Sequence, residues 1–164
     1  MRKRLILQTA KSAADAGREG LALEEIASVE VTSEAEGFPV EGALSREGER
    51  DWRAGTSGPQ TIRLLFDHPQ TIRVIRLVFR EDESPRTQEF VLRWLRAGAE
   101  SWKDVVRQQW NFSPPDTAEE SEEYNVELTS AAALELTINP DISRSAARAS
   151  LKRWQLSGQR DTNR

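Results

Sequence analysis

The stretch QTIRLLFDHPQTIRVIRLVFREDESPRTQEFVLRWL, residues 60–95, decides the fold. It predicts three consecutive β-strands, at residues 60–66, 70–80 and 88–95. In the first and third, apolar and polar side chains alternate, which is typical of a strand with one buried face. Residues 67–69, Asp-His-Pro, separate the first two strands. Because proline fixes φ and cannot donate to a ladder, we expect the chain to reverse there in a hairpin turn.

The predicted second strand contains a change of parity. Ile72 and Val74 occupy even positions, whereas Ile75 and Leu77 occupy odd positions. One extra residue in a strand produces such a change, so we predict a β-bulge near residues 74–76.

Other alternating segments extend this pattern on both sides. They predict further strands at residues 29–32, 102–112, 124–128, 133–138 and 150–156. Turn-rich segments separate them, including a solvent loop at residues 113–123, and a short helical turn at residues 24–26 precedes the first. Seven or eight short strands without a long helix predict an all-β fold, an antiparallel β-sandwich.

Length and composition predict a single domain. The chain has 164 residues, of which 30% are charged and 37% hydrophobic, as in ordinary soluble domains. We expect residues 28–158 to form the sandwich, residues 1–27 to be a peripheral segment with a short strand or helix, and residues 159–164 to be a disordered tail. Residues 34–51 are rich in glycine, proline and acids and predict a long loop, which is usually functional or tightly packed.

The sequence lacks membrane and secretory features. No apolar run approaches the roughly 20 residues that span a bilayer, and the apolar segment after the basic residues 2–4 ends at Gln8. Without cysteine there is no disulfide and no thiolate chemistry. These features predict a cytoplasmic location.

The net charge of −4 is unevenly distributed. Residues 108–142 contain acids but no Lys or Arg, and such a segment repels polyanions, so nucleic-acid binding is disfavoured. Arginines occupy outward positions of the predicted strands, where they either serve solubility and edge protection or form a surface for a protein partner. These arginines are Arg63, Arg73, Arg76, Arg80, Arg93 and Arg107.

The residue patterns that catalysis requires are not found. His68, the sole histidine, lies in the predicted turn beside Pro69, where we expect it to be solvated. The sequence has no glycine-rich phosphate loop, nucleophile elbow or helix-borne metal motif. We therefore expect no enzymatic activity.

One loop carries candidate cation ligands. Glu41, Glu47, Glu49 and Asp51 surround Gly48, and calcium takes six to eight oxygen ligands, including backbone carbonyls. The loop is either a solvated acidic segment or the site of a structural calcium ion, with Glu47, Glu49 and Asp51 as its ligands.

The tryptophans divide into core and surface candidates. Trp52, Trp94 and Trp102 fall at strand ends or inward positions, which predicts core packing. Trp110 leads into the loop at residues 113–123, where we consider its ring a candidate for exposure. An exposed ring can stack on the apolar face of a sugar while polar side chains form hydrogen bonds with the hydroxyls of that sugar. The candidate ligand-binding residues are Arg46, Arg50, Asp51, Trp110 and Asn111.

Several segments in succession carry a family resemblance. They are Val-Thr-Ser at residues 31–33, a Gly/Pro loop closing on Asp-Trp-Arg at residues 51–53, and residues 72–77, 90–102 and 149–158. They resemble the discoidin domains, also called coagulation factor five/eight type C domains, and the bacterial carbohydrate-binding modules related to them. Over about residues 28–158, the resemblance implies a galactose-binding-like jelly roll of eight strands whose end loops bind a ligand, often a sugar.

The chain departs from that family at three points. It cannot form the disulfide of extracellular members, it has Glu47-Gly48 where the family usually has Asp-Gly, and it has Ala97-Gly98 at a later turn. The resemblance implies a noncatalytic module that recognises a carbohydrate, and in sugar-binding relatives the acidic loop often holds a structural calcium. Two alternatives stay open: a protein-interaction domain of a cytosolic assembly and, less favoured, a nucleic-acid-binding domain.

Overall fold

The computed structural model describes residues 20–45 and 50–158. The predicted N-terminal strand or helix before residue 20 and the predicted tail at residues 159–164 lie outside these ranges. The described residues form two short helices and eight strands. In chain order these are α1 (Leu23–Ile26), β1 (Ala27–Val31), α2 (Val40–Leu44), β2 (Trp52–Arg53), β3 (Gln60–Arg80), β4 (Arg86–Arg96), β5 (Lys103–Phe112), β6 (Glu119–Asn139), β7 (Ser150–Leu151) and β8 (Arg153–Ser157).

The two longest strands, β3 and β6, organise the fold. The first half of β3 pairs antiparallel with the second half of β6, starting with Gln60 opposite Ile138. The second half of β3 pairs with the first half of β6 and ends with Arg80 opposite Glu119. The first pairing is extended by the other strands to the order β1-β3-β6-β4-β5, while β8 pairs with the second half of β3. β2 and β7 form a separate two-stranded sheet.

The two halves of β3 lie in opposite layers of a sandwich. Near the end of β3, the ring of Phe79 lies 5.0 Å from that of Phe90 in β4, measured between centroids. Phe90 is paired with Ile138, which is paired with Gln60 at the beginning of β3. The end of β3 therefore lies across the core from its own beginning. A straight strand of this length would span about 70 Å, well beyond a domain of this size.

The prediction of a hairpin turn at residues 67–69 is wrong, because the structure has a bend within one strand there. The chain changes direction there, but the two halves of β3 do not pair with each other, because both pair with β6. The register shifts between Leu65 and Gln70, and β6 bends at the same level, where Ser130 has φ of 60° and Ala131 is fully buried. A bend that moves the chain to the other layer lets both halves bury their apolar faces in one core.

The predicted change of parity in β3 is present, but the bulge lies elsewhere. Ile72 and Ile75 are both fully buried. Register shifts fall between Gln70 and Ile72 and between Ile72 and Val74. These three residues pair with Ala131, Leu128 and Asn125, so β6 has one extra residue at each shift. The irregularity is thus earlier than predicted and on the partner strand.

β6 is one continuous strand, whereas the sequence predicted a loop as far as residue 123 and then two strands. Its first residues pair with the end of β3. Glu119 and Glu123 point outward and form ion pairs with Lys152 and Arg76, while Glu120 is buried. The acidic run fits a strand because its outward charges pair with cations on β3 and between β7 and β8.

Two other predicted segments are subdivided. The predicted loop at residues 34–51 contains α2, whose Val40, Ala43 and Leu44 face the core at helical spacing. The predicted last strand is split into β7 and β8 around Lys152.

The core lies between the two layers. Trp52, Trp154, Phe79, Phe90 and Phe112 are among its fully buried side chains. Trp52 thus packs in the core as predicted. Trp94 and Trp102, predicted to be core residues, are only half-buried. No helix in the described ranges is long and apolar enough to span a membrane.

Candidate ligand-binding cleft

Connecting loops gather at one end of the sandwich. Because β3 and β6 each fold back, both ends of both strands lie there. Backbone hydrogen bonds join neighbouring loops, from Glu81 N to Ala118 O and from Ala54 N to Ala149 O, and a third, from Ile142 N to Thr87 O, joins a loop to the beginning of β4. The loops that meet at this end comprise residues 32–39, 54–59, 81–85, 113–118 and 140–149.

These loops enclose a cleft of about 680 Å³. We call it the main cleft; it is lined by residues 35, 38, 53–54, 80–84 and 145–150. Small-molecule sites typically have volumes of about 300–1,000 Å³. The lining combines one aromatic ring with guanidinium, carboxylate and hydroxyl groups, so it offers both donors and acceptors of hydrogen bonds.

One wall of the main cleft is a stacked pair of side chains. The guanidinium carbon of Arg53 lies 4.7 Å from the ring centroid of Phe38. Two backbone hydrogen bonds hold the segments together, from Arg53 N to Phe38 O and from Ala35 N to Arg53 O. Gly37, with φ of 85°, forms the turn between Ala35 and Phe38. Stacking orients the guanidinium group of Arg53, and the N–H groups at the edge of its plane stay available to donate hydrogen bonds.

The opposite wall, residues 80–84, is held by internal hydrogen bonds. Arg80 Nε donates to Asp82 Oδ1 over 3.1 Å. Glu81 Oε2 accepts hydrogen bonds from the backbone N–H groups of Glu83 and Ser84 at 2.8 and 3.2 Å. Partial burial acts to raise the pKa of Glu81, but these bonds and one from Arg86 outweigh it and hold that pKa below its usual range.

A buried arginine lies beneath this wall. Arg86 donates from Nε to Glu81 Oε1 at 2.7 Å, and from Nη1 to Pro140 O at 2.8 Å and Gln88 Oε1 at 3.1 Å. Its guanidinium carbon lies 4.7 Å from the ring centroid of Phe112. One side chain therefore ties the loop at residues 81–85 to the loop at residues 140–149.

The loop at residues 140–149 has its own brace. Asp141 Oδ1 accepts hydrogen bonds from the Ser143 backbone N–H at 3.1 Å and from Ser143 Oγ at 2.7 Å. Hydrogen bonds from the hydroxyls of Ser143 and Ser145 lower the pKa of Asp141 to about 2. At the end of the loop, Ser150 Oγ donates to Arg80 O at 2.9 Å. Arg148, which lines the main cleft, stands on this braced segment.

The structure separates the predicted ligand-binding residues. Arg50 donates from Nη1 to Gly37 O at 3.2 Å, beside the Phe38 wall. Asp51 is close enough to Arg80 to help raise its pKa, after the larger effect of Asp82. These two residues therefore lie at the rim of the main cleft. Arg46 lies outside the described residues.

Trp110 and Asn111 lie elsewhere, in a shallower pocket of about 350 Å³ with Gln109 and Thr117. Trp110 is half-buried, and Asn111 Oδ1 accepts a 2.6 Å hydrogen bond from Thr87 Oγ1. The four predicted residues that the structure describes therefore lie in two places, two beside the main cleft and two in the shallower pocket. The side chains that sequence reasoning missed are Phe38, Arg53 and Arg148.

The calcium site stays a prediction. Two of its predicted ligands, Glu47 and Glu49, lie outside the described residues, and Asp51 alone is described. Within residues 20–45 and 50–158, no three Asp, Glu or His side chains converge in a way that could hold a metal ion.

The arginines on the outer sheet faces are ion-paired. A row runs across the five strands of the first layer, from Glu30 through Arg63, Glu135 and Arg93 to Asp104. The other four predicted surface arginines also have acidic partners: Arg73 with Glu127, Arg76 with Glu123, Arg80 with Asp82 and Arg107 with Glu89. Since acidic side chains of the protein itself neutralise these arginines, the arginine-bearing sheet faces do not favour the binding of a protein partner.

Neither a protein-family model nor a curated protein sequence matches the chain. Solved structures match its fold. A GH29 fucosidase from Ruminococcus gnavus in complex with fucose superposes with a TM-score of 0.64 at 13% identity over 87% of this chain, which spans only 27% of the fucosidase.

Two isolated modules match over nearly their whole length. The family 32 carbohydrate-binding module of NanJ from C. perfringens, in complex with galactose, has a TM-score of 0.61 and 13% identity, with 84% of this chain and 96% of the module covered. The corresponding module of AlyQ, in complex with 4,5-unsaturated mannuronic acid, has a TM-score of 0.57 and 18% identity, with 80% and 94% covered.

These likenesses define the fold class. The chain is an antiparallel β-sandwich of the jelly-roll type, with the fold of the family 32 carbohydrate-binding modules. The fold class predicted from the sequence and the resemblance to the discoidin-like modules are both confirmed at this level.

Proposed function

We propose that this protein is a noncatalytic carbohydrate-binding module whose ligand occupies the main cleft. The observation that carries the proposal is the cleft itself, which lies among the end loops and combines an aromatic and guanidinium wall with carboxylates and hydroxyls. Modules of the same fold were solved with galactose and with a mannuronic acid derivative.

The lining suits the chemistry of a sugar. Each sugar hydroxyl both donates and accepts hydrogen bonds, so a binding site needs both kinds of group in fixed positions. The main cleft provides donors on Arg53 and Arg148, acceptor oxygens on Glu83, and the hydroxyl of Ser84. The internal bonds of residues 80–84 hold their wall in place before a ligand arrives, which reduces the entropic cost of binding.

The carboxylates of the cleft are unsuited to glycoside hydrolysis, which needs a carboxylic acid with a raised pKa facing a second free carboxylate. Glu81 has a lowered pKa and is bonded to Arg86, and Asp82 is bonded to Arg80. Burial and the neighbouring Glu122 raise the pKa of Glu120 to about 8, but that side chain is fully enclosed in the core. The ion pairs and pKa values of these three carboxylates support a module that binds a sugar without hydrolysing it.

Calorimetric titration with a panel of neutral and acidic oligosaccharides tests the proposal. We expect at least one to bind with a millimolar or lower Kd. Phe38→Ala and Arg53→Gln should each weaken that binding about tenfold, since each removes a direct contact. Asn111→Ala, in the shallower pocket, is the matched control and should bind like the wild type.

Two outcomes contradict the proposal. If no saccharide binds at millimolar concentration, the protein is not a carbohydrate-binding module. If Asn111→Ala abolishes binding while Phe38→Ala and Arg53→Gln leave it intact, the sugar occupies the pocket of Trp110 instead of the main cleft.

A further inference from the structure

We infer that the main cleft selects acidic saccharides, whose sugar rings carry carboxylate groups, and that Arg53 and Arg148 bind those carboxylates. The inference rests on the proposed function, because it names the ligand class of the same cleft. It is carried by the state of the charged groups along the cleft wall.

Of the three arginines that line the main cleft, Arg53 and Arg148 differ from Arg80 and from the arginines on the sheet faces. Each of the six outward-facing strand arginines predicted from the sequence has an acidic partner within 4.0 Å. Among the residues that the structure describes, neither Arg53 nor Arg148 has one, although both are exposed. Two guanidinium groups with free donors therefore face the space that a ligand would fill.

The acids of the cleft do not cancel these two charges. Glu81 is engaged by Arg86 and by two backbone N–H groups. Asp82 is engaged by Arg80, which Asp51 also attracts. Of the acids that line the cleft, only Glu83 has no cationic partner among the described residues. Two unpaired guanidinium groups against one unpaired carboxylate give the cleft a positive excess, which favours an anionic ligand.

The arginines stand on adjoining backbone segments. The residues that follow them, Ala54 and Ala149, are joined by a 2.9 Å hydrogen bond from Ala54 N to Ala149 O. Arg53 is oriented by its stack on Phe38, and Arg148 lies in the loop braced by Asp141. A guanidinium held in this way presents a planar fork that matches a carboxylate with two parallel hydrogen bonds.

The test compares sugars that differ only in the carboxylate. Trigalacturonate and trimannuronate are titrated calorimetrically, each beside its carboxyl-reduced neutral counterpart. We expect at least one acidic trisaccharide to bind about tenfold or more tightly than its counterpart, since hydrogen bonds between charged groups are stronger than neutral ones. The difference should shrink in high salt, which screens exposed charges.

Two variants and a control test whether Arg53 and Arg148 cause the preference for acidic sugars. Arg53→Gln and Arg148→Gln should each reduce the affinity for the acidic sugar about tenfold while the neutral sugar changes less. Arg96→Gln, at the opposite end of the sandwich, removes an exposed arginine of β4 and should keep the full preference. All three positions are exposed, so thermal unfolding midpoints should match the wild type.

The outcomes separate the two proposals. If neutral and acidic trisaccharides bind equally well, or if the double variant Arg53→Gln/Arg148→Gln retains the preference, the inference is overturned and the proposed function stands. If none of these trisaccharides binds but another oligosaccharide of the wider panel does, the inference is overturned and the proposed function stands. If no saccharide of either set binds, both are overturned.

Discussion

The buried guanidinium of Arg86 donates a 2.7 Å hydrogen bond from Nε to Glu81 Oε1, and this contact joins the interior of the sandwich to the wall of the main cleft. The side chain of Arg86 is only 1% exposed, and that of Glu81 is 16% exposed. The same guanidinium also bonds the carbonyl of Pro140. The positions of two cleft loops thus depend on a single cation in the core.

Replacement of Arg86 by methionine should therefore destabilise the protein strongly. The substitution retains much of the apolar volume but leaves the carboxylate of Glu81 with little solvent and no cation, which costs about 3–5 kcal/mol in comparable buried pairs. Urea denaturation measures the change in the free energy of unfolding. Arg107→Met is the control, because its ion pair with Glu89 is more exposed and should contribute at most about 1 kcal/mol. Equal losses in the two variants would contradict this prediction.

The stability of the protein should fall as pH rises between about 4.5 and 8. Burial, followed by the effects of Glu122, raises the pKa of Glu120 from 4.5 to about 8, although Gln88 and Arg86 oppose the shift. Within that window the folded state holds a proton that the unfolded state has lost, so the free energy of unfolding decreases as pH increases.

Glu120→Gln should flatten this dependence, because the amide stays neutral at every pH. Denaturation curves at pH 5, 6, 7 and 8 would show a wild type that loses stability and a variant that loses less. Glu119→Gln, at an exposed neighbouring position, should follow the wild type. Parallel curves for Glu120→Gln and the wild type would rule out Glu120 as the responsible group.

The contact between Phe79 and Phe90 should contribute strongly to the packing of the two layers. Both side chains are fully buried, and their rings meet between β3 and β4. Phe90→Ala should lower the free energy of unfolding by about 3–5 kcal/mol, through lost burial and the cavity that remains. Ile142→Ala, at an exposed apolar position, should change it by no more than about 0.5 kcal/mol. A loss below about 1 kcal/mol for Phe90→Ala would be inconsistent with a contact between the layers.

Gly42 should not tolerate alanine. A Cβ at this position would lie 2.5 Å from the carbonyl oxygen of Arg50, so helix α2 or the chain before Asp51 would have to move. Crowding of this kind costs about 1–3 kcal/mol. At Gly20 an added Cβ would meet Leu156 O at 3.5 Å, an ordinary contact, so Gly20→Ala is the control. Thermal unfolding of both variants is the measurement, and equal midpoints would contradict the prediction.

Much of the sheet structure could be predicted from local pattern. Ile62 and Leu64 in β3 and Phe90 and Leu92 in β4 alternate with polar or less buried residues, and all four are buried as that alternation predicts. The pattern works because successive side chains of a strand point to opposite faces, so one buried face shows in the sequence itself. The same holds for β5, predicted at residues 102–112 and found at Lys103–Phe112.

The path of the chain between strands could be predicted less well from the sequence. Asp67, His68 and Pro69 favour a change of direction, but such residues are equally compatible with a hairpin and with a bend that carries one strand into the other layer. Pairing with β6, more than 50 residues further along the chain, decides between the two. The long β6 is not predicted for a related reason, since its outward acids indicate a loop until their cationic partners are known, Arg76 on β3 and Lys152 between β7 and β8.

The sequence by itself determined that this chain is a β-sandwich, because period-two burial is a local property of each strand. The calcium site and the cytoplasmic location stay predictions. Only the tertiary structure decided which side chains share a cleft. Trp110 and Asn111, predicted as neighbours of Arg50 and Asp51, line a separate pocket. Phe38, Arg53 and Arg148 are far apart in sequence, and they line one cleft because the loops and the β2–β7 pairing bring their backbones together.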